Sequence, residues 1–160
     1  MTLRQAVKAD ICKVSALYKS VIGVNNSVWD ENYPTADDAR NDLERDNLFV
    51  LEKDSEIIGA CSVESDGELK GLDFWKINDG TQREIARIVI AEEHQGFGYA
   101  KAMVRSLVDV LAERGCKSVH LLAAKSNPAA VKTYLAIGFE AVGECFAFGH
   151  DYYAMEYIIQ

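Results

Sequence analysis

Apolar positions along this chain change period several times, and each change marks an element. Residues 3–7 can form a first strand. From Asp10 onward Ile11, Val14, Leu17, Tyr18, Val21 and Ile22 recur at helical spacing, and Gly23 stops the run. Residues 24–34 follow no period and hold Trp29 and Tyr33. Thr35, with Asp38 three residues on, has the form of a capping box, and Ala36, Ala39 and Leu43 give a second helix a narrow apolar stripe. Residues 48–52 and 56–64 read as a hairpin around Lys53-Asp54-Ser55. A polar connection over 65–82 carries Leu72, Phe74, Trp75 and Ile77, and loops of this length are uncommon in compact domains without a role. A β-branched run at 83–90 leads into a helix expected to bury Ala100, Met103, Val104, Leu107, Val108 and Leu111 and to stop at Gly115. A strand at 117–123 and a short helix from Asn127 follow, then an antiparallel pair at 140–148 and 152–159.

The order is strand, two helices, three strands, helix, strand, helix, two strands. It predicts an α/β (α+β) domain over residues 1–160, with a mixed central sheet of about seven strands and about four helices. A flavodoxin-like sheet needs a crossover helix between the strands at 48–52 and 56–64, and three residues cannot hold one. A chain of 160 residues is long enough to bury about 70% of its unfolded surface.

Composition narrows the function classes. The net charge of −8 argues against a nucleic-acid surface, which needs clustered Lys and Arg. No apolar run reaches the ~20 residues of a membrane span, and the first ten residues lack a signal-peptide core, so a cytoplasmic protein with no membrane partner is expected. Cys12, Cys61, Cys116 and Cys145 are scattered, with no paired spacing and no His cluster. That favours reduced thiols over disulfides or a metal site.

The chemistry concentrates at 85–115. Ile85, Ile88, Val89 and Ile90 end at Glu92-Glu93-His94, and Gln95-Gly96-Phe97-Gly98-Tyr99-Ala100-Lys101 precedes the amphipathic helix. Strand, glycine turn and helix start is the order that builds an anion site. Glycines bring backbone N–H groups close to a ligand, and the helix start adds unpaired N–H groups and the positive end of the macrodipole. No third glycine completes a dinucleotide fingerprint, and the P-loop pattern is absent. The residues match Q/R-x-x-G-x-G/A at Gln95, Gly98 and Ala100. Further on, Asn127 can cap a helix with Pro128 at its first position, Tyr134 follows at helical spacing, and Gly138-Phe139 end it.

These two motifs, in this order, resemble the acetyl-CoA loop and the second motif of the GCN5-related N-acetyltransferase (GNAT) superfamily. The element order matches as well, so the resemblance covers nearly the whole chain. Glu92 stands where many relatives have Pro. The resemblance implies a parallel strand pair that parts at a bulge to take the pantetheine arm along Ile88, Val89 and Ile90. It implies that N–H groups from Gln95 through Gly96, Phe97, Gly98, Tyr99 and Ala100 to Lys101 hold the pyrophosphate, with Asn127 bordering the same cofactor. The implied activity is acetyl transfer from acetyl-CoA, as cosubstrate and without a metal, to a primary amine of a small molecule or peptide by direct attack. A non-catalytic acyl-CoA-binding module is the alternative.

On that reading Tyr134 protonates the departing thiolate, since a phenol near pKa 10 suits the task. Glu84 is the candidate base or amine anchor; it may equally pair with Arg83 or Arg87, and His94 and His150 are substitutes for it, whereas His120 reads as structural. The acceptor side offers Trp29, Asp30, Tyr33, Asp73, Trp75, Phe146 and Tyr152. Trp29, Tyr33 and Trp75, with Glu84, are expected to bind the amine through cation–π and charge contacts. The same rings could plug a core or a homodimer interface.

Overall fold

A computed structural model describes residues 1–65 and 68–160. Its strands form a seven-stranded sheet in the order β1-β2-β3-β4-β5-β7-β6. They are β1 (Thr2–Gln5), β2 (Leu48–Lys53), β3 (Glu56–Glu64), β4 (Gln82–Ile90), β5 (Ser118–Ala124), β6 (Glu140–Ala147) and β7 (His150–Ile158). The helices are α1 (Ile11–Ser20), α2 (Ala36–Glu44), α3 (Tyr99–Glu113) and α4 (Pro128–Ile137). One strand pair is parallel, β4 with β5, joined over Gln82–Glu84 against Ser118–His120. The mixed sheet and four helices are those expected from the sequence.

The chain groups into two compact units. The first comprises Met1–Val63 and Arg87–Met103. In it β1 pairs with β2, and β2 with β3, all antiparallel. The β2–β3 hairpin turns on Asp54 and Ser55, both at positive φ (50° and 65°), so the connection is tighter than three residues. Its core joins Val14, Leu17 and Tyr18 of α1 to Ala39 of α2 and to Val50 and Ala60 of the sheet. The first strand ends at Gln5, two residues earlier than expected. The Asp10 carboxylate accepts the Val7 N–H at 2.8 Å and receives Arg4, so residues 7–10 curl into a 3₁₀ turn. Arg4 holds that carboxyl below the usual aspartate range against the opposing effect of burial.

The second unit comprises Glu64–Ala86 and Val104–Gln160. Asp66 and Gly67, part of the connection expected over 65–82, lie outside the described residues. Here β7 pairs antiparallel with both β5 and β6. The β6–β7 turn is Phe148-Gly149, with φ of 52° and 78°, so β7 starts two residues before the apolar pattern does. Gly143 sits under the Phe74 ring, where a Cβ would lie 2.5 Å from the ring carbons, and the β6 register shifts there. At the centre is Glu156, whose carboxylate accepts from the N–H groups of Lys76 and Ile77, the Ser118 hydroxyl and His120 Nε2. Burial pushes this carboxyl up, but the four hydrogen bonds outweigh it and hold it below the usual glutamate range. Burial likewise lowers His120, with Glu156 pulling the other way. A buried carboxylate satisfied in this way pins the 76–77 connection to β5 and β7.

The apolar stripe of α3 is buried at Met103, Val104, Leu107, Val108 and Leu111. Ala100, expected to share it, is only half-buried because it lies in the first turn, beside the glycines.

Candidate acetyl-CoA and acetyl-transfer residues

The turn before α3 is built by backbone conformation. Glu92–His94 form a single 3₁₀ turn, and Gly96 and Gly98 then take φ of 80° and 82°. A Cβ at either glycine would meet nothing within 4 Å, so both face open space. The first hydrogen bond of the helix runs from Ala102 N–H to the Gly98 carbonyl at 3.0 Å. Among the described residues, the N–H groups of residues 96–101 have no protein acceptor. The first turn of α3 carries no acidic residue, and Lys101 lies within it. Six donors without a protein acceptor thus lie at the positive end of a fifteen-residue helix, an arrangement able to take an anion.

Gln95 contributes differently from the expectation that its N–H opens this row. That N–H donates to the Glu92 carbonyl at 3.1 Å, so the free run begins at Gly96. Its side chain is a brace: Nε2 donates to the Ile90 carbonyl at 2.9 Å, and Oε1 receives Asn25 Nδ2. The turn is thereby tied to the end of β4 and to the loop after α1. Phe97 is 72% exposed, and Tyr99 lies near both Phe97 and His94.

At the end of β4, Ile88 is half-buried and Val89 and Ile90 are buried. Val89 belongs to the core of the first unit. What the 88–90 stretch can offer a ligand is therefore largely backbone. One step earlier Arg87 adopts φ +50° inside the strand. Its guanidinium is held by both carboxylate oxygens of Asp42 of α2. Asp42 lies one position beside the apolar stripe of Ala36, Ala39 and Leu43, and an acid at the edge of a buried stripe calls for a buried cation. That signal was present in the sequence and Arg87 was the unread partner.

In the second unit Asn127 caps α4, its Oδ1 accepting the Ala130 N–H at 3.2 Å, and Nδ2 has no protein acceptor among the described residues. Gly138 closes the helix at φ 120°. Tyr134 is buried on α4 with its ring edge-on to Phe139 at 6.1 Å. Glu84 stands on β4 in register with His120 of β5, with one carboxylate oxygen buried.

The expected acceptor residues fall into different settings. Trp29 is half-buried, its ring at 5.6 Å and nearly perpendicular to Tyr18. Tyr33 is 46% exposed, and its hydroxyl accepts from Arg87 Nη1 at 3.0 Å. The Tyr18 hydroxyl beside this group is buried without a hydrogen-bond partner among the described residues, and burial pushes its pKa well above the usual phenol value. Trp75 is 7% exposed, stacks on His120 at 3.9 Å and donates Nε1–H to the Leu69 carbonyl. Of the two roles weighed for this ring, the structure shows the packing one. Of the remaining candidates, Asp30, Asp73 and Phe146 are exposed and Tyr152 is buried.

A strand, a glycine turn with open donors and a long helix, within a mixed sheet holding one parallel pair, define the class of acetyltransferase folds. The chain belongs to the acetyltransferase (GNAT) family, whose model matches residues 15–139. It is 32% identical over 65 residues to N-acetyltransferase 8 of Rattus norvegicus, covering 41% of this chain and 29% of that protein. It is 31% identical over 95 residues to mycothiol acetyltransferase of Tsukamurella paurometabola, covering 58% of this chain and 32% of that protein. The matched stretch thus spans about a third or less of these curated relatives. Its fold is similar to that of yncA, a putative acetyltransferase from Salmonella typhimurium solved with its cofactor acetyl-CoA. That likeness has a TM-score of 0.77 at 20% identity and covers 100% of this chain and 94% of that one.

Proposed function

We propose that this chain is an N-acetyltransferase that moves the acetyl group of acetyl-CoA to a primary amine of a small molecule or peptide. The observation that carries the reading is the row of N–H donors at residues 96–101 that have no protein acceptor among the described residues, with open space beside Gly96 and Gly98 and Lys101 at the end of the row. A pyrophosphate satisfies such donors, and it is the invariant part of any acyl-CoA. Asn127 Nδ2 adds a donor for the same cosubstrate, and the backbone of residues 88–90 serves the pantetheine arm and thioester, polarising the carbonyl as charge develops.

An alkylamine near pKa 10.4 must first lose a proton, at a cost of about 4–5 kcal/mol at neutral pH. Glu84 accepts that proton directly or through water. Tyr134 returns one to the thiolate as the C–S bond breaks. Trp29 and Tyr33, on the aperiodic loop at 24–34, hold the amine, consistent with recognition residues sitting on loops of a rigid scaffold. The names of the curated relatives, an N-acetyltransferase and a mycothiol acetyltransferase, support the chemistry and leave the acceptor open. The four free cysteines support a reducing, cytoplasmic setting, and a homodimer fits the exposed Phe146 and Phe148.

The test is a panel of amines incubated with purified protein and acetyl-CoA, followed by mass spectrometry. Gain of one acetyl group on an amine, matched by release of CoA, is the expected result. Tight acetyl-CoA binding with no product across the panel would leave a binding module instead. No binding at all would remove both readings.

A further inference from the structure

The backbone of Arg87 is the irregularity in β4. A φ of +50° is rare for a residue with a long side chain, because Cβ crowds the following carbonyl, and it persists only where its surroundings hold it. The holding group is Asp42. Nε and Nη2 of Arg87 donate to its two carboxylate oxygens, each at 2.8 Å, and the side chains are 8% and 6% exposed. Nη1 donates to the Tyr33 hydroxyl. A bidentate pair shielded from water fixes both the direction and the plane of the guanidinium. Stability alone does not call for it, since apolar residues of similar volume often do as well or better.

The stretch that follows Arg87 is restrained at its far end too. Gly59 of β3 lets it approach closely, for a Cβ there would lie 2.6 Å from Ile90 Cδ1 and 2.9 Å from the Val89 carbonyl oxygen. Ala91 N–H donates to the Ile58 carbonyl at 2.8 Å, and Gln95 holds the Ile90 carbonyl. Residues 88–90 are thus suspended between the Arg87–Asp42 pair and the braced turn.

We propose that Arg87 and Asp42 are positioning residues for acetyl transfer: the pair holds the left-handed turn of β4 and so aims the backbone groups of residues 88–90 at the thioester. Tyr33, bonded to the same guanidinium, ties the acceptor loop to that strand. The inference rests on the acetyltransferase reading given above.

Four variants separate a backbone role from plain stabilisation: Arg87→Ala, Arg87→Lys, Arg87→Gly and Asp42→Asn. Lysine cannot form the bidentate pair. Alanine loses the pair and keeps a Cβ in a strained conformation, whereas glycine loses the pair and adopts positive φ freely. Two readouts are needed, amide hydrogen exchange at residues 88–91 in ligand-free protein, and kcat beside the Kd for CoA. Arg87→Ala, Arg87→Lys and Asp42→Asn should exchange there at least tenfold faster and lose at least tenfold in kcat. CoA affinity should stay within threefold, because the phosphate turn is untouched. Arg87→Gly should regain about fivefold of both losses while melting no higher than Arg87→Ala. If kcat instead follows melting temperature across the set, or Ala and Gly variants share one kcat, the proposal falls. Unchanged exchange in Arg87→Ala overturns it as well. Exchange needs no substrate, so a wild-type protein that ignores acetyl-CoA would sink the enzymatic reading while exchange alone still judges the pair.

Discussion

The start of α2 is capped by the chain's own side chains; the start of α3 is not. Thr35 and Asp38 form a reciprocal box at α2, with the Asp38 carboxylate accepting the Thr35 N–H at 2.7 Å, and Asp37 and Asp38 set negative charge against the helix dipole. The start of α3 has no acid and no capping side chain, two glycines at positive φ, and six N–H groups without a protein acceptor among the described residues. Both helices begin with the same four orphan donors that any helix has. In α2 the box answers part of this need internally and contributes to stability. In α3 that stabilisation is forgone, and the donors stay without a protein acceptor among the described residues.

The strongest way to break this contrast is to fill the open site. Gly98→Glu puts a carboxylate and a positive-φ side chain where phosphate must approach, and titration calorimetry should show acetyl-CoA affinity reduced at least about 100-fold. The space beside Gly98 is free, so the fold should survive with a modest fall in melting temperature. Unchanged affinity in a folded variant would mean that the anion site lies elsewhere.

Binding and chemistry should separate at α4, where Asn127 caps the helix start. Tyr134→Phe is expected to lower kcat by about 10²–10⁴-fold, the usual scale for a positioned acid, and to leave the Kd for acetyl-CoA nearly as it was. Wild-type turnover in the Phe variant would take Tyr134 out of the mechanism and make water the proton donor.

Smaller changes sharpen the contrast. Lys101→Glu gives α3 the acidic first turn that α2 already has. Acetyl-CoA binding should weaken about threefold to tenfold, with the loss shrinking as salt rises; a salt-independent loss would point to a steric cause. The converse change, Asp38→Ala, opens the box of α2 and should cost about 1 kcal/mol in denaturant unfolding, with no effect on acetyl-CoA affinity. A change in affinity there would show that the two helix starts are coupled.

Much of this was legible because local rules carried it. The box at Thr35, the cap at Asn127 and the glycine exits at Gly115 and Gly138 each depend on a few neighbouring residues, and each formed as expected. The glycine turn before α3, with Gly96 and Gly98 at positive φ, was legible for the same reason. Misreadings occurred where a distant partner decided the outcome. Gln95 could be read as a ligand-facing residue from the turn alone, but Ile90 and Asn25 take its side chain. Trp75 sits in a polar stretch that reads as a binding loop, and only His120, Leu69 and the Glu156 network turn it into core.

The amino-acid order by itself determined the succession of elements, the glycine turn before α3 and the family motifs, because period, caps and glycine positions act over a few residues. Tertiary structure alone decided which charged groups met. Asp42 and Arg87 are 45 residues apart, and each has several plausible partners in sequence. Only folding excludes water from both and makes one pairing far better than the rest. The left-handed bend in β4 belongs to that second class, since no local preference asks for an arginine at positive φ and only a buried partner can hold it there.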